Sequence, residues 1–176
     1  LLDSVGTRVF PDWFDIDELP FLPRGLRSAA FDAEGVATRE SPLVRGGIVQ
    51  RYVLGSYSAR KLGIATTANA GGVHNLQVRA NAVGLDELVK GMGRGLLVTD
   101  LMGQGVNAIT GDYSRGVAGF WVEGGRIAYP VDGITIAGNL KSMFGAIEAV
   151  GADIDPRSHV RMGSMLLGRM TVAGTG

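Results

Sequence analysis

The stretch VAGFWVEGGRIAYPV, Val117 to Val131, decides the fold class. Two runs rich in β-branched and aromatic residues flank Gly124-Gly125, and a two-residue Gly-Gly turn supplies the positive φ angles that a tight β-hairpin needs. Strict alternation places Val117, Gly119, Trp121 and Glu123 on one face, with Ala118, Phe120 and Val122 on the other. The same logic applies upstream, where VATRESPLV (36–44) and IVQRYVL (48–54) flank Arg45-Gly46-Gly47 and predict a second hairpin.

Further strands are expected in VHNLQVRA from Val73, GLLVTDLM from Gly95, GITIAG from Gly133 and the stretch from His159 to Ala173. Helical spacing occurs at Leu85, Leu88, Val89 and Met92, and again at Leu140, Met143, Phe144, Ile147 and Val150. Asn139 is the expected N-cap of that second helix and Gly151 its stop. A third, shorter helix is expected in SYSARKLG from Ser56, ending at Gly63. The segment from Pro11 to Arg27 contains Pro11, Pro20 and Pro23 and is expected to run as an extended surface loop. The fold class is therefore α+β and β-dominated, with antiparallel sheets in a sandwich or barrel-like arrangement and two or three short helices.

Composition narrows the function classes. With 176 residues the chain can bury one core, since a domain of about 150 residues hides roughly 68–70% of its unfolded surface. Residues 1–176 are expected to form one domain. The 45% hydrophobic and 19% charged content lies far from the regime of disorder. Lys plus Arg (17) balances Asp plus Glu (17), so no net field draws the chain to a phosphate backbone or an anionic membrane, and neither is expected as a partner. The absence of cysteine removes disulfides, thiolate nucleophiles and Cys-based zinc sites, and is compatible with a reducing, cytoplasmic setting. No apolar run reaches the roughly 20 residues that span a bilayer. The chain opens at Leu1, without Met, in strand-like sequence, and is expected to be part of a longer protein whose N-terminal part is absent.

His74 and His159 are the only imidazoles, whereas zinc takes three or four His, Cys, Asp or Glu ligands. Asp153, Asp155 and His159 form a D-x-D-x-x-x-H pattern whose spacing matches no metal motif, and a loop after a helix with Asp and Pro156 turn chemistry is the better explanation. Ser158 beside His159 is the nearest approach to a nucleophile and base. GQG before VNAITG has the letters of a phosphate loop but lacks the following lysine. The densest polar cluster is Gln104, Asn107, Asp112, Tyr113, Ser114 and Arg115 among Gly103, Gly105, Gly111 and Gly116. These residues are candidates for lining a chamber or meeting a partner, or for bonding one another within a turn that positions the hairpin.

This stretch carries a resemblance. VTDLMGQGVNAITGDYSRGVAGFWVEGGRIAYPV and ITIAGNL resemble the C-terminal region of the TldD/PmbA family, once labelled modulators of DNA gyrase. The resemblance extends upstream through PDW, AAFDAEGVATRE, YSARKLG and NAGGVHN and downstream through DIDPRS, and GDYSRG is similar to the PmbA (TldE) branch. It implies a heterodimeric, zinc-dependent peptidase of the bacterial cytoplasm acting on peptides or unfolded proteins. In that arrangement a TldD-like partner supplies the zinc, and the TldE-type chain contributes no catalytic residue, no metal ligand and no cofactor of its own. The TldD branch holds its metal with a His-Glu-x-x-x-His helix and a later cysteine, and here Met162 in RMGSML stands where that cysteine is expected. Two alternatives stay open: a self-contained metallopeptidase with its zinc motif upstream of Leu1, and a regulator of DNA gyrase.

Overall fold

The computed structural model describes residues 3–82 and 84–174. In chain order its elements are β1 (Ile16–Glu18), β2 (Ser41–Arg45), β3 (Ile48–Val49), α1 (Ser56–Leu62), β4 (Leu76–Val78), α2 (Leu85–Met92) and β5 (Gly95–Met102). There follow β6 (Asp112–Glu123), β7 (Arg126–Asn139), α3 (Leu140–Gly145), β8 (Ile147–Val150), β9 (Val160–Arg161), β10 (Met165–Leu167) and β11 (Thr171–Ala173). Strand occupies 37% and helix 12%, so the chain is β-dominated with antiparallel sheets, and among the described residues there are three helices and no sheet closes into a barrel. It divides into two compact units, Leu1–Arg79 with Ile154–Met162 and Ala80–Asp153 with Gly163–Gly176.

The first unit holds a five-stranded sheet in the order β3-β2-β1-β4-β9, antiparallel except for the β4–β9 pair. Its middle strand, β1, lies in the segment that its three prolines mark as a surface loop. The prolines flank Ile16–Glu18 and remove no donor from its ladder, which explains the difference. Phe14, Glu18 and Pro20 are fully buried, and Phe10 stacks on Phe14 with ring centroids 4.8 Å apart. The expected hairpin at Gly46-Gly47 forms with φ of 55° and 74°, pairing Arg45 with Ile48, although its strands are shorter than the sequence suggests. The strand-like opening is instead a turn followed by a single bridge from Arg8 to Ile48, Leu1 and Leu2 lying outside the described residues. Helix α1 ends at left-handed Gly63, as predicted, while at its start the Ser56 N–H donates to Glu34 Oε2 at 2.8 Å.

The second unit holds a four-stranded sheet, β11-β7-β6-β5, and a two-stranded one, β10-β8. The β6–β7 hairpin turns at Gly124-Gly125 with φ of 55° and 71°, and its ladder runs from Glu123–Arg126 to Asp112–Asn139. Strict alternation fails along β6. Val117 and Val122, five residues apart, are both 0% exposed. The register against β7 slips between Val117 and Gly119 and again between Trp121 and Val122, each time with the extra residue on β7, which resets which of its side chains face inward.

Helix α2 covers the predicted residues and buries Leu88 and Val89. The helix expected through Val150 stops at Gly145, and Ile147–Val150 form β8, pairing with β10. The apolar spacing misled because a register shift opposite Leu166/Leu167 lets Ile147 and Val150, three apart, both be buried, which imitates a helical face. Asn139 does cap α3, its side chain accepting from the Lys141 N–H at 3.1 Å, while Gly151 follows β8 and bonds to the Ser164 carbonyl at 2.8 Å. The His159–Ala173 stretch divides into three strands, β9 in the first unit's sheet, β10 on β8 and β11 on β7.

Candidate functional site

The loop between β5 and β6 is closed by its own backbone. Ser114 N–H donates to the Gly105 carbonyl at 2.7 Å, Asn107 N–H to Asp112 at 2.8 Å, and Gly111 N–H to Asn107 at 2.8 Å. A side chain at Gly105 would collide with the Ser114 carbonyl, so only glycine permits this crossing. Asn107 Oδ1 accepts from the N–H groups of Ile109 (2.9 Å) and Thr110 (3.2 Å), an Asx-type turn, and Thr110 Oγ1 donates to Asp112 Oδ2 at 2.7 Å. Asn139 Nδ2 ties the loop to the start of α3 by donating to the Thr110 carbonyl at 3.0 Å.

The result is an open concavity of about 320 Å³ lined by Gln104, Gly105, Val106, Asn107, Asp112, Tyr113 and Ser114. Of the six candidate residues, five border it. Arg115 does not: its Nη2 and Nε donate to the carbonyls of Leu101 (3.0 Å) and Met102 (3.4 Å), bracing β6 against the end of β5. Asn107 and Asp112 are committed to the loop itself, which leaves the side chains of Gln104, Tyr113 and Ser114 available to a ligand. Ile109 at the tip is 96% exposed, an apolar residue that sequence reasoning passed over because it sits within a run of polar and small residues.

Sequence reasoning also missed a buried polar network in the first unit. Glu18 Oε1 accepts from the His74 N–H (2.7 Å) and Asn69 Nδ2 (2.8 Å) and lies 3.1 Å from His74 Nδ1. Its other oxygen pairs with Arg51, whose Nη1 donates to Asn69 Oδ1 at 3.0 Å. Burial pushes the Glu18 carboxyl up, but the His74 N–H and the Arg51 guanidinium outweigh it and hold the group below its ordinary value. Asp15 and Asp32 are lowered in the same way, Asp15 by the Gly46 N–H and Arg45, Asp32 by the N–H groups of Val36, Ala70 and Glu34, each against an opposing burial effect. The one signal in the sequence for this network was Asn69 and His74 close together in one short segment.

The other candidates are occupied locally. Asp153 accepts from Ser164 Oγ at 2.6 Å, and Asp155 is gripped by Arg157, whose forked bonds hold its carboxyl at about 2. Ser158 Oγ accepts from the Val160 N–H at 3.0 Å. Among the described residues no three His, Cys, Asp or Glu side chains gather into a metal-holding group, and His74 Nδ1 lies against a carboxylate that Arg51 also holds. These residues do not fit a zinc centre of their own.

Residues 1–174 match the family model described as the PmbA/TldA metallopeptidase C-terminal domain. The chain belongs to the PmbA/TldD metallopeptidase family. It is 54% identical over 174 residues to metalloprotease PmbA of Escherichia coli O157:H7, covering 99% of this chain and 39% of that protein's length. Relatives named as TldD homologues also match, at lower identity. A crystal structure of a candidate modulator of DNA gyrase from Bacteroides thetaiotaomicron superposes with a TM-score of 0.94 at 29% identity, over 99% of this chain and 40% of that one. A similarly described protein of Thermotoga maritima gives 0.87 at 35% identity, over 97% and 41%. The chain thus spans about two fifths of these PmbA/TldD proteins.

Proposed function

We propose that this chain is the C-terminal part of a non-catalytic, TldE/PmbA-type subunit. It pairs in the cytoplasm with a TldD-like protein that carries the zinc, and the pair processes peptides and unfolded proteins. The observation that carries this reading is the β5–β6 loop, a self-bonded turn that presents Gln104, Tyr113, Ser114 and exposed Ile109 beside an open concavity, with no acid–base pair among them. Such a surface suits contact with an extended chain or a partner more than bond-breaking chemistry. Greater likeness to PmbA-named than to TldD-named relatives supports the same assignment, as does Met162 in the stretch where the resemblance leads one to expect the TldD cysteine.

The test is to purify the full-length protein with and without a TldD-like chain and to assay peptide cleavage. The proposal expects cleavage from the pair, or from the TldD-like chain, and none from the PmbA-type protein alone. The name "metalloprotease" borne by its relatives favours the self-contained enzyme, and robust cleavage by the purified single protein would establish that reading instead. Two solved relatives are described as candidate modulators of DNA gyrase, and a binding assay with purified gyrase addresses that role.

A further inference from the structure

Asp132-Gly133 is the only Asp-Gly pair in the sequence, and there is no Asn-Gly. It falls within β7 at one of the irregularities of the hairpin: Ile134 pairs with Val117 and Val131 with Gly119, so both residues lie outside the paired register. Both are exposed, Gly133 has φ of 65°, and the space where its side chain would stand is empty. On the outer edge of β7, strand β11 pairs only with Thr135 to Ala137. The Gly133 N–H is bonded to the Asp132 side chain, donating to Oδ1 at 2.6 Å, so the amide nitrogen rests against the carboxyl group of the preceding residue.

We infer that Asp132 is a site of spontaneous backbone isomerisation, through a cyclic imide with Gly133, that yields an isoaspartyl carboxylate open to enzymatic methylation. The Gly133 nitrogen attacks Cγ of the protonated Asp132 carboxyl, forming the C–N bond. The carboxyl hydroxyl leaves with the amide proton as water. Water then reopens the imide. Attack at the Cγ carbonyl restores aspartate, whereas attack at the Asp132 main-chain carbonyl breaks its bond to Gly133 and leaves the chain running through Cγ, with a free α-carboxylate. The sum is an isomerisation with no change in mass and no redox partner. Three features of the fold favour it: glycine puts no side chain in the path of attack, the amide N–H is already turned to the Asp132 carboxyl, and both residues lie outside the paired register where the bulge gives the backbone room to rotate. The added backbone carbon would fall beside Ile134, the partner of fully buried Val117, and would disturb the half of the ladder that leads to the β5–β6 loop.

The full-length protein is aged by prolonged warm incubation and digested with trypsin, and the peptides are then treated with an isoaspartyl carboxyl methyltransferase and labelled methyl donor at mildly acidic pH. Asp132 is the sole aspartate of the peptide Ile127 to Lys141, and isoaspartate arising from Asn139 would carry the mass gain of deamidation, so label on the peptide of unchanged mass reports Asp132. The inference expects label to accumulate in that peptide at a rate within about tenfold of the same peptide aged free in solution. It also expects Asp132→Glu to remove the label and Asp132→Asn to lose ammonia at the same position. Suppression in the folded protein well beyond that factor, or label confined to other peptides, would overturn it. The comparison of folded protein with free peptide requires no variant and so does not depend on how either substitution folds.

Discussion

At Glu18, burial alone would raise the carboxyl pKa, yet one backbone N–H, one amide and a guanidinium converge on it and the net direction is downward. A carboxylate 2% exposed with a partner 14% exposed is a buried pair, and removing one member leaves the other uncompensated. Arg51→Met is therefore expected to destabilise the chain by ~3–5 kcal/mol in chemical denaturation, and the double substitution with Glu18→Gln by less than the sum of the two. The pH dependence follows from the same geometry. A group whose folded pKa lies below its unfolded value contributes stability that is full above the unfolded value and lost as pH falls through the folded one. Glu18, Asp15 and Asp32 share this direction, so stability should decline below the ordinary carboxylate range, and Glu18→Gln should flatten that decline. An unchanged acid limb in Glu18→Gln would contradict the assignment. Beyond the Asn69–His74 segment this was not readable in the sequence, because Glu18 and Arg51 stand far from it in the chain and only the fold brings the four together.

Among the elements, the two Gly-Gly hairpins, α1, α2 and the Asn139 cap were legible because each depends on local chemistry: a positive φ, an apolar stripe or a side-chain acceptor. The errors fell where pairing decides. β1 was hidden by the prolines that flank it, the β6–β7 ladder carries two register slips that strict alternation does not foresee, and β8 imitated a helix through a third. The candidate loop was located by its glycines and polar residues, but which side chains it leaves outward depended on its internal bonds. Gly105 is the sharpest local requirement, since any side chain there meets the Ser114 carbonyl. Gly105→Val is expected to open the loop and raise amide exchange at Asn107, Gly111 and Ser114, while α2, packed elsewhere in the unit, keeps its protection. Unaltered exchange at Ser114 would show that the Gly105–Ser114 bond does not hold the loop.

For the molecule as a whole, the loop has two parts to separate. Arg115 braces β6 to β5, so Arg115→Ala should lower the melting temperature and weaken pairing with a TldD-like chain only in parallel with that loss. Ile109 is almost wholly exposed and Tyr113, half-buried in β6, borders the concavity, so Ile109→Ser with Tyr113→Ala should weaken pairing or peptide capture by more than any accompanying fall in melting temperature explains. If the latter pair of changes leaves both pairing and capture intact, the concavity is not the contact surface.

Zinc stoichiometry tests the central claim most directly. The full-length protein is purified alone and again with its TldD-like partner, each from zinc-containing buffer, and the metal is quantified. The account predicts substoichiometric zinc on the protein alone and about one equivalent in the pair, held by the partner chain. Near-equimolar, chelator-removable zinc on the protein by itself would contradict it.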